Sequence, residues 1–297
     1  DMKNAGISGA GKVLEEQLSF FLDPVKGVRY ENPHTVPCDD TFHSIEALLP
    51  FAVIPSIYPG HISIKLATEY LLSIKRDDGI ICSHDFISTE GCYTVAYPLA
   101  EIARLSNNPE LATIAMSQLK IRKKYLADET LISQSCNIEK GKKQFNNWGR
   151  GVAWYMLGIA KTLVSIKKMG MDNNPLWVEM HEEYKRAVAW VLTFRNKEGM
   201  WYCFIDKPQS LVDTSATAGI AASMAFGAAH HLIEKNYRNE LNETYQSVLD
   251  YLTPDGFLGY SSQINRGGEE LQESGYRVIS QYAMGLLAQL YVWKKIK

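Results

Sequence analysis

The chain has 297 residues, with 31 lysines and arginines against 33 aspartates and glutamates and a net charge of −2. That balance lays down neither a basic footprint for nucleic acid nor an acidic tail. No apolar run approaches the ~20 residues of a membrane span, and no linker divides the chain, so a soluble single domain over 1–297 is expected.

The opening Asp1-Met2-Lys3-Asn4 lacks the pattern of a secretory signal, which leaves a cytoplasmic and a periplasmic location both open. Five cysteines, Cys38, Cys82, Cys92, Cys136 and Cys203, are scattered without C-x-x-C spacing, so buried or idle thiols are expected. The histidines show no H-E-x-x-H pattern and no paired spacing for zinc; no metal and no cofactor are predicted.

Apolar positions at helical spacing predict a first helix over 9–22, stopped by Asp23-Pro24. Asp39 and Asp40 then open a second helix, with Phe42, Ile45, Leu48 and Leu49 on one stripe. Pro59-Gly60 breaks it, and a third helix over 62–74 runs into the turn Asp77-Asp78-Gly79. Further helices are read over 93–105, 109–126, 149–168, 177–194, 215–233, 238–252 and from 276 to the end, with no strand alternation longer than a few residues.

The stretch FNNWGRGVAWYMLGIAKTL at 145–163 places Arg150 between Trp148 and Trp154 at a helix start. A cation there opposes the positive end of the helix dipole, and an anionic ligand would compensate it. The free N–H groups and the guanidinium could share one carboxylate while tryptophan faces cover a sugar ring. The alternative is that Arg150 stacks on Trp154, four residues on.

A weak repeat recurs: RDDGIICSH at 76–84, ADETLISQS at 127–135, NKEGMWYCF at 196–204 and TPDGFLGYS at 253–261. Each is a turn followed by a short apolar extension, with glycine at the left-handed position in three copies and Thr130 in the second. Helical hairpins repeated in this way predict an all-α (α/α) toroid of the six-hairpin type, its loops gathered at one end. The small residues of SATAGIAASMAFGAA at 215–229 suit a close-packed inner helix.

The runs WGRGVAW, GMWYCFIDKPQSLVDTSATAGIAASMA and SQYAMGLLAQLY resemble the unsaturated glucuronyl and unsaturated rhamnogalacturonyl hydrolases, over roughly 39–291. The resemblance implies an (α/α) toroid glycosidase that removes a terminal 4,5-unsaturated uronic acid from lyase-derived oligosaccharides, without metal or cofactor. Its chemistry is hydration: a carboxylic acid protonates the enol-ether double bond and water adds at C5. The oligosaccharide is the expected partner, with neither nucleic acid nor membrane.

Carried over by this resemblance, the catalytic acid/base falls at Asp40, with Asp39 as the neighbouring choice, and a second acid at Glu90, framed by Gly91 and Tyr93. Helix capping alone would also favour aspartates at 39 and 40. Glu90 stands where the family usually has aspartate, and Gln134 where it usually has histidine, so this chain offers an amide that does not titrate. Arg150, Trp148 and Trp154 are expected to bind the sugar, with Tyr93, Gln134 and Trp201 at the rim and His43 within reach. A non-catalytic carbohydrate-binding relative, and a glycosidase using Asp40 and Glu90 on saturated sugar, are the competing readings.

Overall fold

The structure is a computed structural model that describes residues 1–29, 41–234 and 237–295. Asp39 and Asp40 lie outside the described residues, but the second helix does not open on them as expected: residues 41–44 are irregular, and the first helical residue is Ile45, with Ser44 at the N-cap.

Helix α1 (Ala10–Phe21) gives way to a hairpin of β1 (Leu22–Asp23) and β2 (Gly27–Val28). Asp23 stops the helix by accepting the Val25 and Lys26 N–H groups, both at 2.8 Å. Where one α-helix was expected, a 3-10 helix spans Ile45–Ala52, followed by the short α2 (Ile54–Ile57). Pro50 explains the difference: it lacks the N–H an α-helix needs there, and the buried Ile45, Leu48 and Phe51 follow the three-residue period of the tighter coil. Helix α3 (Ile62–Ser73) follows, and then β3 (Phe86–Ser88).

The next helix opens with a π-helical turn at Cys92–Ala96 and continues as α4 (Tyr97–Ser106). Helix α5 (Pro109–Leu126) starts where Asn108 caps the Leu111 N–H and proline occupies the first turn. The strands β4 (Ser133–Asn137) and β5 (Lys143–Asn146) join β3 in an antiparallel sheet of order β3-β4-β5, which the sequence did not announce. Helices α6 (Gly149–Lys167), α7 (Pro175–Leu192), α8 (Thr214–Ala229) and α9 (Arg238–Leu249) come next. A pair of short strands, β6 (Ser261–Ser262) and β7 (Arg277–Val278), flanks α10 (Gly268–Glu273), and α11 (Gln281–Trp293) starts five residues later than expected.

Helices α6 and α8 are buried on every side for most of their length, so they form the middle of the fold. Helix α6 packs on α4 and its π turn, α8 packs on α6, and α11 on α8. The approach is close: a β-carbon at Gly158 of α6 would sit 2.3 Å from the Cys92 carbonyl carbon, and one at Gly219 of α8 would sit 2.6 Å from Ala153 Cβ. Small residues therefore let backbones touch in the core, as expected for 215–229.

The repeat has a common geometry. In three copies the N–H of Arg76, Asn196 or Thr253 donates to the carbonyl four residues on, Ile80, Met200 or Phe257. Gly79, Gly199 and Gly256 take φ of 85°, 79° and 89° in these turns. The second copy, with Thr130 in place of glycine, closes earlier: Asp128 N–H donates to Leu131 O. The bridge Ala127↔Ile132 is thus one residue tighter than Lys75↔Ile81, and Thr130 avoids the left-handed region that a β-branched residue resists.

Candidate active site

The extensions that follow these turns carry the site. The pairing of β3 with β4 continues past Ser88 when Thr89 N–H donates to Gln134 O at 2.9 Å, which delivers Glu90 to the start of the helix containing the π turn. Such turns are frequent at functional sites. Behind Glu90 lies the fully buried Arg122, which donates to the carbonyls of Ile81 (2.7 Å), Ser88 (3.2 Å) and Gln118 (3.2 Å). It passes so close that a β-carbon at position 91 would meet Arg122 Nη2 at 2.1 Å; Gly91 is required by that contact.

Glu90, Tyr93 and Thr94 from this helix start meet Trp148, Arg150 and Trp154 from α6 around a pocket of about 120 Å³. Glu46 and Leu49 of the 3-10 helix, Ile264 and Asn265 of the loop after β6, and Tyr282 of α11 complete the wall. Trp148, Arg150 and Tyr93 form a buried floor, whereas Ile264 and Tyr282 are exposed at the mouth. Three of the rings are ordered: Tyr93 stacks on Trp154 at 5.4 Å with an interplanar angle of 19°, and Tyr282 meets Trp154 edge-on at 6.0 Å. Flat aromatic faces of this kind suit the C–H side of a sugar.

Burial pushes the Glu90 carboxyl up to about 7, and the neighbouring Glu46 carboxylate adds to the effect; Arg150 and a hydrogen bond from Gln134 oppose it. Glu90 therefore changes protonation near neutral pH, the property required of a general acid/base. Gln134 is 3% exposed, and its Oε1 has no hydrogen-bond partner among the described residues. The amide thus serves Glu90 with its donor side from behind the pocket, whose lining does not include Gln134, expected at the rim.

Arg150 is in the pocket wall, but its donors are largely engaged by the protein. Nη1 donates to Ser262 O at 2.7 Å and Ser215 Oγ at 3.2 Å, and Nη2 to Gln263 O at 2.6 Å. Its face lies over Trp148, 4.6 Å from the ring centroid, and not over Trp154. Asp213, the cap of α8, accepts from Ser215 N and from Ser262 N at 3.1 Å. The Ser262 peptide is therefore gripped on both sides, which fixes the loop bearing Ile264 and Asn265. The guanidinium offers the pocket a positive field more than an open fork for a carboxylate.

The remaining expectations divide. Asp40 lies outside the described residues. His43 is exposed, with Nε2 3.1 Å from Thr41 Oγ1, and does not line the pocket. Trp201, expected at the rim, is a core residue instead: it is 1% exposed, and its indole N–H donates to Val191 O at 2.8 Å, which fixes the ring under α7. Sequence reading missed Glu46, Leu49, Thr94, Ile264, Asn265 and Tyr282. Ile264 and Asn265 follow the fourth repeat copy, and Tyr282 lies inside the quoted run SQYAMGLLAQLY, so the repeat and that run were signals for them. Among the described residues no group of three or more His, Cys, Asp or Glu side chains could hold a metal ion, and no helix is long and apolar enough to cross a membrane.

Residues 89–292 match the family model of Glycosyl Hydrolase Family 88. An unsaturated rhamnogalacturonyl hydrolase of Bacillus subtilis, YesR, is 23% identical over 142 residues, which cover 47% of this chain and 38% of that protein. The aligned stretch thus spans well under half of that relative. A possible member of family GH105 from Salmonella enterica serovar Paratyphi A superposes with a TM-score of 0.83 at 18% identity, over 99% of this chain and 79% of that one. The unsaturated glucuronyl hydrolase of Bacillus sp. GL1 superposes with a TM-score of 0.61 at 19% identity, over 83% of this chain and 73% of that one. These structures share the fold described above.

Proposed function

This chain belongs to glycosyl hydrolase family 88, and from that membership we propose that it removes a terminal 4,5-unsaturated uronic acid from oligosaccharides left by polysaccharide lyases. The names of its relatives, an unsaturated rhamnogalacturonyl hydrolase and an unsaturated glucuronyl hydrolase, support that substrate class. The succession α4, α6, α8 and α11, each packed on the next, supports an (α/α) toroid with these helices on the inner ring.

One observation carries the reading: a carboxyl poised near pH 7, Glu90, in a pocket walled by Tyr93, Trp148 and Trp154. In its neutral form Glu90 donates a proton to C4 of the C4=C5 bond. Positive charge develops at C5 and the ring oxygen, and the Glu90 carboxylate then takes a proton from the water that attacks C5. The resulting hemiketal opens and releases the neighbouring sugar. Asp40, the acid/base of the sequence reading, is proposed here as the companion carboxylate, the two roles being exchanged because Glu90 is the carboxyl held near pH 7. Gln134 tunes Glu90 through its hydrogen bond, and the positive field of Arg150 favours an anionic sugar.

A second reading rests on Glu46, which lines the same pocket as Glu90 and would make a carboxylate pair for a saturated glycoside. One experiment separates the two. Unsaturated disaccharides and matched saturated ones are incubated with the protein, following loss of the double bond's ultraviolet absorbance and release of reducing sugar. Turnover of the unsaturated substrates alone is expected; turnover of the saturated ones alone would replace the first reading by the second.

A further inference from the structure

Arg150 lies in the first turn of α6, and Lys161 lies about three turns further on in the same helix. Lys161 lies about 16 Å further along the axis at 1.5 Å per residue, at a second cavity of about 250 Å³. Its side chain is almost wholly buried, 2% exposed, and the ammonium sits among three rings: Phe226 at 4.5 Å, Tyr97 at 5.5 Å and Trp293 at 6.0 Å. A buried ammonium in such a cage demands an anion.

The nearby Glu101 is already engaged, since it accepts from Arg104 Nη2 at 2.8 Å and Nε at 3.1 Å and from Ser165 Oγ. The carboxylate on Lys161 comes instead from the far end of the sequence: Asp1 Oδ2 lies 2.9 Å from Nζ, and the Asp1 side chain keeps 20% of its surface in solvent. Asp1 is thus a carboxylate plugged into the mouth of a cavity that extends beyond it. Ser56 and Asn4 add hydroxyl and amide groups to the wall, and Lys168 a further cation. Burial lowers the Lys161 ammonium from its usual value, which adds to the need for a partner.

We propose that this cavity is a second carboxylate-binding site, which takes a small hydroxylated acid, of the sugar-acid class, in place of Asp1. The ammonium holds the carboxylate, the rings cover the C–H side of the body, and the polar wall receives its hydroxyls. A volume below the roughly 300–1,000 Å³ of drug-sized ligand sites restricts the occupant to one small molecule. The inference rests on this geometry alone and holds whether or not the catalytic proposal does.

The test is a titration of the full chain with D-glucuronate and D-gluconate, read by calorimetry and thermal shift, in wild type, Asp1→Asn and Asp1→Asn/Lys161→Met. Wild type measures whatever the pocket around Glu90 takes up. Removing the plug in Asp1→Asn is expected to add a second binding event, at least about tenfold tighter than any at this site in wild type. Lys161→Met, which fits an apolar cage, is expected to cancel it, and Lys161→Gln serves where the methionine variant fails to fold. Identical titrations in wild type and Asp1→Asn, or a new event that survives loss of Lys161, overturn the proposal and make Asp1–Lys161 a structural ion pair only.

Discussion

The Arg150 guanidinium holds the carbonyl of Ser262 at 2.7 Å, across 112 residues of sequence, while Asp213 accepts the N–H of the same residue at 3.1 Å. The loop that bears Ile264 and Asn265 is fixed by this double grip. Arg150→Met is therefore expected to cost about 2–4 kcal/mol of stability, because buried carbonyls lose a charged donor. Amide exchange at 262–265 should accelerate in the same variant. Unchanged melting and exchange with a selective loss of ligand affinity would instead assign the guanidinium to a ligand carboxylate.

Glu90→Gln should abolish proton transfer, lowering turnover by about 10²-fold or more, while the protein keeps its fold. Its effect on stability has a definite sign. The folded value of about 7 lies above the ordinary 4.5, so folding favours the neutral form. That contribution is complete below about pH 4.5 and is lost as pH rises through about 7. The amide stays neutral throughout, so the variant should be more stable than wild type at pH 8, by ~3 kcal/mol, and close to it near pH 4.5. Melting curves at the two pH values check this, and a variant less stable than wild type at pH 8 would contradict it.

Gln134 holds the charged form of Glu90 down through its hydrogen bond. Removing that bond in Gln134→Leu raises the Glu90 value further, so the alkaline limb of the activity profile should move to higher pH. KM should change little, because Gln134 does not line the pocket. A profile that keeps its alkaline limb while KM rises would contradict this and make Gln134 a ligand contact without influence on Glu90.

Asp40 and Asp39 are separated by paired amides. Asparagine keeps the size of aspartate and one hydrogen-bonding oxygen, so a purely structural role leaves Asp40→Asn active. A catalytic role for Asp40 predicts about a 10²-fold loss of turnover in Asp40→Asn beside a largely active Asp39→Asn. Turnover of an unsaturated disaccharide measures both, with circular dichroism as the check on folding. The reverse ranking would move the role to Asp39.

The helices were legible where apolar spacing ran for three turns or more, and α6 and α8 stood out by being apolar or small on every side. The turn repeat was legible because glycine was needed at a left-handed position, and its exception at Thr130 proved to be a shorter turn. The sheet was not, since Ser133, Gln134, Ser135 and Cys136 of β4 are all buried and show no alternation. Trp201 misled because a tryptophan in a glycine-flanked turn reads equally as ligand platform and as core, and only the bond to Val191 decides. Arg150, Trp148 and Trp154 were singled out by the helix start between two tryptophans, and Glu90 and Tyr93 by the resemblance; all five line the pocket, whereas Glu46 and Leu49 reach it by long-range packing that no local pattern encodes.

The aromatic column does more than line a wall. Tyr97, at the Lys161 cavity, stacks on Tyr93 at 5.8 Å, and Tyr93 stacks on Trp154 at 5.4 Å in the pocket that holds Glu90. Light absorbed by either tyrosine has an indole of lower excitation energy close by, Trp154 beside Tyr93 and Trp293 in the Lys161 cage with Tyr97, so it drains to those indoles and leaves as their emission. Trp293 and Trp154 are consequently built-in reporters, one at each cavity: an acid settling in the Lys161 cage and a sugar settling against Trp154 would each change the colour or intensity of indole emission, with no label attached.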